Sequence, residues 1–348
     1  MPLRSDLVAI LPGLAFTVAL AVAAKLVYWL SDSAVSAVFC AIVLGILWRS
    51  FVGIGDWAEP GLEFAAQTLL RIGIALIGLR LTLIVLADTS AIAVPLVLAC
   101  VAVALLVALG FGRLLGVSPG MRQLLAAGTA ICGCTAIIAV APLLRARKAD
   151  IGIALTCVVL FGSTAMMLYP WVAGALFDGS TVKAGMFFGS SIHDTSQVVG
   201  AALIYGEQFD APDAVAIAGL TKFLRTLGLL LLVPLAAWWG AREDAAVPGG
   251  AARGLRRKAV PTFVLCFIGL VILRTLGDSH AGDSAAAWQA FLGIAQAVSE
   301  WLLLIGIAAV GLGVTVSHLR EAGWRPICLA FLAALATGAT SLALLGAG

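Results

Sequence analysis

Long apolar runs recur about eleven times along this 348-residue chain, and that recurrence restricts its fold more than any other feature. They fall at 7–30, 34–48, 69–87, 91–115, 123–144, 151–176, 184–205, 214–239, 260–276, 301–316 and 326–345. A helix crossing the hydrocarbon core needs about 20 mostly apolar residues, because only a closed backbone satisfies its own N–H and C=O groups in lipid. An all-α polytopic membrane protein is therefore expected, with residues 1–348 forming one integral membrane domain. Only 11% of the residues are charged, against about 25% in an average soluble domain. The net charge is +3 and no basic cluster is interleaved with aromatics, so nucleic acid is not an expected partner.

The first run follows MPLRSD and lacks a small-residue cleavage site followed by a soluble domain, so it reads as a first span. Residues 53–67, with Asp56, Trp57, Glu59 and Glu63, read as interfacial, and 284–299 resembles them. The most charged connector, 241–258, holds Arg253, Arg256, Arg257 and Lys258 and is expected to be a large cytoplasmic loop. Most tryptophans, among them Trp29, Trp48 and Trp324, mark segment ends as an interfacial belt would.

Internal repetition comes next. Residues 74–82 (IALIGLRLT) match 307–315 (IAAVGLGVT), and 128–139 (GTAICGCTAIIA) match 189–200 (GSSIHDTSQVVG). The first two copies lie an odd number of segments apart and should cross the membrane in opposite senses. That implies inverted-topology repeats, with halves near 34–176 and 184–348. Loop charge supports a cytoplasmic N-terminus and a periplasmic C-terminus. Arg145, Arg147 and Lys148 break the positive-inside pattern unless 123–144 is re-entrant or broken; the same treatment of 184–205 restores the pattern downstream. Two discontinuous or re-entrant segments are thus expected to meet near the midplane.

Irregular backbone at membrane depth is tolerated only where it lines a cavity or is packed in protein. Gly128, Gly133, Gly189 and Gly200 can break a helix, and a broken helix exposes N–H groups that suit an anion. The expected substrate-binding residues are Thr129, Cys132, Gly133, Thr135, Ser190, Ser191, Thr195, Ser196 and Gln197. The plainer reading of each is close helix packing by small residues. His193 and Asp194 are expected to carry a coupled proton, since histidine titrates near neutral pH and intramembrane ionisable groups mark functional sites; a His-Asp pair fixing a helix contact is the plainer alternative. Lys222 and Arg225, three apart, share a helix face too deep to snorkel, and either offset a bound anion or hold Asp194. Arg80 lies at similar depth, whereas Lys25, Arg71 and Arg274 lie near segment ends. The seven cysteines read as small packing residues, and no ligand spacing suggests a metal or other cofactor.

The stretches 69–83 (LLRIGIALIGLRLTL), 128–142 (GTAICGCTAIIAVAP), 190–201 (SSIHDTSQVVGA), 221–226 (TKFLRT) and 307–316 (IAAVGLGVTV) resemble the YeiH-like family of bacterial inner-membrane proteins described as sulfate exporters. That family resembles the bile-acid symporter and cation/proton antiporter class, which implies discontinuous helices crossing at the substrate. Cys134 stands where the resemblance implies Ala or Ser. The implied function is a secondary transporter, not an enzyme, exporting sulfate, sulfite or a related sulfur anion with a proton or sodium ion, and a homodimer is compatible with it. A cation-coupled organic-anion transporter and an anion channel are the alternatives in transport; an intramembrane enzyme using His193 and Asp194 is the alternative in chemistry.

Overall fold

The computed structural model describes residues 3–31, 36–228, 262–280, 285–313 and 323–346. The expected loop 241–258 and the last two residues of the repeat 307–315 lie outside them. The described chain is helical without strands: α1 (Leu3–Leu30), α2 (Ala37–Phe51), α3 (Glu59–Arg80), α4 (Leu83–Leu114), α5 (Pro119–Ala130), α6 (Cys134–Val140), α7 (Lys148–Leu176), α8 (Thr181–Ser191), α9 (Thr195–Gln208), α10 (Ala214–Thr226), α11 (Thr262–His280), α12 (Ala285–Gly313) and α13 (Trp324–Gly346). Seven of these helices are long and apolar enough to cross a membrane, and this is a multi-pass membrane protein.

Two stretches expected to be interfacial are instead the leading parts of continuous helices: 53–67 runs into α3 from Glu59, and 284–299 into α12 from Ala285. In α3 the reason is spacing. Glu59, Glu63, Gln67 and Arg71 recur every four residues along one exposed stripe, while Gly61, Leu62, Ala65 and Leu70 are buried. Polar content lowered the apparent hydropathy of a segment whose period is helical. Consequently α3 ends at Arg80 rather than near 87, and Arg80 pairs with Glu300 of α12.

Backbone clustering divides the chain into two compact units. Unit 1 comprises 1–87, 202–216 and 262–315. Its helices approach through small residues, as apolar helices do in lipid, where close van der Waals packing replaces a hydrophobic drive. Gly45 of α2 sits on the backbone of Gly311 and Leu312 in α12, and Gly13 of α1 meets Gly61 of α3. Gly306 faces Leu70, and Gly73 faces Leu303. Position rises on α3 as it falls on α12, so these two helices, which carry the first repeat pair, run antiparallel. Ser299 Oγ reinforces the contact with a 2.8 Å bond to Gly73 O.

Unit 2 comprises 88–201, 217–261 and 316–348, and holds the second repeat pair. A buried core joins α5 and α6 to α7 and α13, with Leu124, Leu125, Ile137, Val158 and Leu329 almost fully enclosed. Tyr169 of α7 stacks on Phe187 of α8, and Ser190 Oγ lies 2.7 Å from Ser341 Oγ of α13. These contacts hold the segments 119–140 and 181–191 against one frame.

Candidate functional site

Both repeat segments of unit 2 are interrupted helices. The first stops at Ala130 and restarts at Cys134; the second stops at Ser191 and restarts at Thr195. Gly133 is the turning point of the first, with φ 64° and ψ −126°, a conformation essentially closed to residues with a Cβ. In the second, Ile192 turns extended at φ −78°, ψ 142°. The two breaks touch, because the Asp194 carboxylate and Cα pack directly on the Gly133 Cα.

A helix that stops inside a protein leaves carbonyls without intrahelical donors, at the negative end of its dipole. Here Lys222 and Arg225 of α10 take them. Lys222 Nζ donates to Ile131 O at 3.1 Å, Ile192 O at 2.9 Å and His193 O. Arg225 Nε donates to Ala130 O at 2.8 Å, Nη1 to Ser190 O at 2.5 Å and Ile192 O at 3.3 Å, and Nη2 to Thr129 O. Their three-residue spacing puts both heads on one face of α10, and the planar guanidinium reaches carbonyls of both segments at once. Gly189 permits this approach, since any Cβ there would strike Ala218 O and Thr221 of α10. Both cations are wholly buried.

The restart of α9 is capped by its own residues. Asp194 Oδ1 accepts from Ser196 N at 3.0 Å, and Gln197 Oε1 accepts from Asp194 N at 3.3 Å, the reciprocal pattern of a capping box. Gln197 is held in turn by Val159 O at 3.0 Å and Ser163 Oγ at 3.2 Å, and its amide lies over Gly162, where no Cβ fits. We expect Gln197→Leu to lower stability by about 1 kcal/mol, the usual loss for a cap, and to release Asp194. Thermal unfolding of the purified protein checks the first effect, and hydrogen exchange at Thr195 and Ser196 the second.

The expected site residues therefore fall into two sets. Thr129, Cys132, Gly133, Ser190, Ser191, His193, Gln197, Lys222 and Arg225 are buried. Three of their hydroxyls bond back to their own helices: Thr129 to Leu125 O, Ser191 to Phe187 O and Ser190 to Phe187 O as well as to Ser341. Thr135, by contrast, is exposed, and Cys134, Asp194, Thr195 and Ser196 are half-buried, so they form the accessible rim of the two breaks. His193 is 2% exposed, its Nδ1 lacks a hydrogen-bond partner, and among the described residues no bond joins its ring to Asp194. Sequence reading overlooked the cap on α9, although Asp194-Thr-Ser-Gln197 has the spacing that signals one. The capture of seven carbonyl contacts by one Lys and one Arg had no sequence signal, because acceptors on the main chain have no residue signature.

Electrostatically the arrangement is unbalanced. Two buried cations face two helix ends worth roughly half a negative charge each, and among the described residues no carboxylate lies within ion-pair distance of either. Asp194 is the carboxylate whose charge acts on Lys222 from beyond that distance.

Comparison with known families and proteins agrees with the resemblance seen in the sequence. Residues 12–330 match the family described as "Conserved hypothetical protein 698". Similar curated proteins include the UPF0324 membrane proteins TauZ of Paracoccus pantotrophus, 34% identical over 94% of this chain and 93% of the relative, and TauZ of Paracoccus denitrificans, 35% identical over the same shares. Another, UPF0324 membrane protein RSc1111 of Ralstonia nicotianae, is 33% identical over 87% of this chain and 82% of its own. No solved structure matches. Over nearly its whole length, then, this chain belongs to the "Conserved hypothetical protein 698" family, whose curated relatives are named UPF0324 membrane proteins.

Proposed function

We propose that this protein is a secondary transporter that exports a small sulfur oxyanion, sulfate or sulfite first, across the bacterial inner membrane. One observation carries the reading: two interrupted helices meet over a buried pair of cations that, among the described residues, have no carboxylate within ion-pair distance. The donors of Lys222 and most of those of Arg225 are engaged by carbonyls, so the pair acts on a solute through charge rather than by direct contact. The solute sits on the rim, where Thr135, Thr195 and Ser196 offer hydroxyls. The antiparallel repeat helices and the interrupted segments support alternating access built on inverted repeats, with an N-terminus inside and a C-terminus outside.

Asp194 is the residue we assign to a coupled proton. It is accessible at the rim while His193 is sealed, and an anion seats against a carboxyl more readily than against a carboxylate. Export of a divalent anion with one proton still moves one net negative charge outward, which an inside-negative potential favours by about 2.3 kcal/mol per 100 mV.

The test is efflux of labelled sulfate and sulfite from proteoliposomes under an imposed potential. Saturable efflux is expected, steeply pH-dependent in the wild type and flat with pH in Asp194→Asn. Flux that rises linearly without saturation would instead establish an anion channel. Efflux of larger carboxylates in preference to sulfur oxyanions would establish an organic-anion carrier.

A further inference from the structure

Unit 1 contains a cavity with both charged and apolar walls that the transport reading does not use. Its volume is about 260 Å³, and its walls include Lys25 and Tyr28 of α1, Arg80 of α3, Glu207 of α9, and Glu300 and Trp301 of α12. Lys25, Arg80 and Glu207 lie near the ends of their helices.

Charges of both signs share this hollow, and among the described residues Arg80 and Glu300 are paired while Lys25 and Glu207 have no ionic partner. Arg80 spends Nη1 on Pro212 O at 3.1 Å and Nη2 on Glu300 at 2.9 Å, but its Nε is buried and has no partner. The side chain is only 10% exposed. Lys25 Nζ lies 4.9 Å from the Tyr28 ring centroid, and among the described residues no carboxylate is within ion-pair reach. Glu207 has one oxygen tied to Ser36 Oγ at 2.5 Å and Val38 N at 3.5 Å, while its Oε1 has no partner among the described residues.

Arg80 and Glu300 offset each other, which leaves Lys25 and Glu207: a simple anion here would meet Glu207, and a simple cation would meet Lys25. Only a ligand bearing both charges offsets both. We propose that this cavity binds a small zwitterion, with its acid group at Lys25 and Arg80 and its primary ammonium between Glu207 and the face of Trp301. Aromatic faces attract ammonium groups through the ring quadrupole. At about 30 Å³ per water-sized group the volume admits a short chain only. The same chemistry occurs in a free amino acid or aminosulfonate and in an ethanolamine phosphate lipid headgroup.

The test uses the full chain in phosphatidylglycerol nanodiscs, titrated calorimetrically with β-alanine and 2-aminoethanesulfonate. Propionate, ethanesulfonate and propylamine serve as singly charged comparators. The zwitterions are expected to bind at least tenfold tighter than the comparators, and Lys25→Met or Glu207→Gln to weaken them at least tenfold. Among the described residues the Lys25 ammonium meets only the Tyr28 ring, and Gln at 207 keeps the acceptor for Ser36, so neither change should disturb folding. If a headgroup is the occupant, phosphatidylethanolamine will copurify with the wild type by mass spectrometry and be lost from Lys25→Met. Equal binding of β-alanine and propionate overturns the proposal. So does the absence of both soluble binding and variant-sensitive lipid. Sulfate efflux by Lys25→Met is expected at the wild-type rate, so this site and the transport reading fail separately.

Discussion

Arg225→Ala is expected to yield a protein that loses its fold, not one that is folded and merely inactive. The side chain is wholly buried and donates to four carbonyls drawn from both interrupted segments. Lys222 still reaches Ile192 O in the variant, but Thr129, Ala130 and Ser190 carbonyls are left without their donor. Each hydrogen bond to a charged group is worth about 1.5–3 kcal/mol, and the losses overlap because one guanidinium makes them all. A destabilisation of about 3–5 kcal/mol follows, the range for removing one partner of a buried charged arrangement. Arg225→Lys keeps the charge but not the fork, and should recover only part of the loss. The measurement is thermal unfolding and monodispersity in detergent, beside transport. A variant that unfolds at the wild-type temperature but no longer carries sulfate would show that Arg225 holds the solute itself, and would remove the role in closing the helix ends.

Gly133→Ala should be the second most damaging change, for a different reason. Backbone at φ 64°, ψ −126° is glycine territory, and a non-glycine residue there costs about 1–3 kcal/mol in strain. Space is also lacking, because the new Cβ would lie 3.0 Å from Asp194 Oδ2 and 3.2 Å from Asp194 Cα. Relief of either conflict moves the first break away from the second. Transport is therefore expected to fall at least 100-fold while unfolding shifts by only about 2 kcal/mol, the middle of that strain range. Gly120→Ala, in the first turn of α5 with open space around it, serves as the control and should behave as wild type. Equal efflux from both variants would remove the claim that contact between the breaks matters.

How much of this was legible beforehand depends on what kind of information each feature needs. The helical class followed from apolar run length alone, since lipid leaves the backbone no other open choice. The positions of the two breaks followed from glycine and hydroxyl clusters at 128–139 and 189–200, and the structure interrupts its helices inside both. The boundary at 59 was misplaced because hydropathy averages away a polar stripe that occupies one helix face. The pairing of Arg80 with Glu300, 220 positions apart, left no trace in either local sequence.

Sequence by itself determined that the chain is a bundle of apolar helices, that two of its segments are interrupted, and that α10 carries two cations on one face. Those are consequences of local composition and period, which each segment expresses alone. Only the tertiary structure decided that these cations close the carbonyl ends of both interrupted segments, that Asp194 caps α9 instead of pairing with His193, and that Lys25, Arg80 and Glu207 line one hollow. Such choices depend on which main-chain acceptors and which distant charges come within 3 Å, and that is settled by packing between helices far apart in the chain.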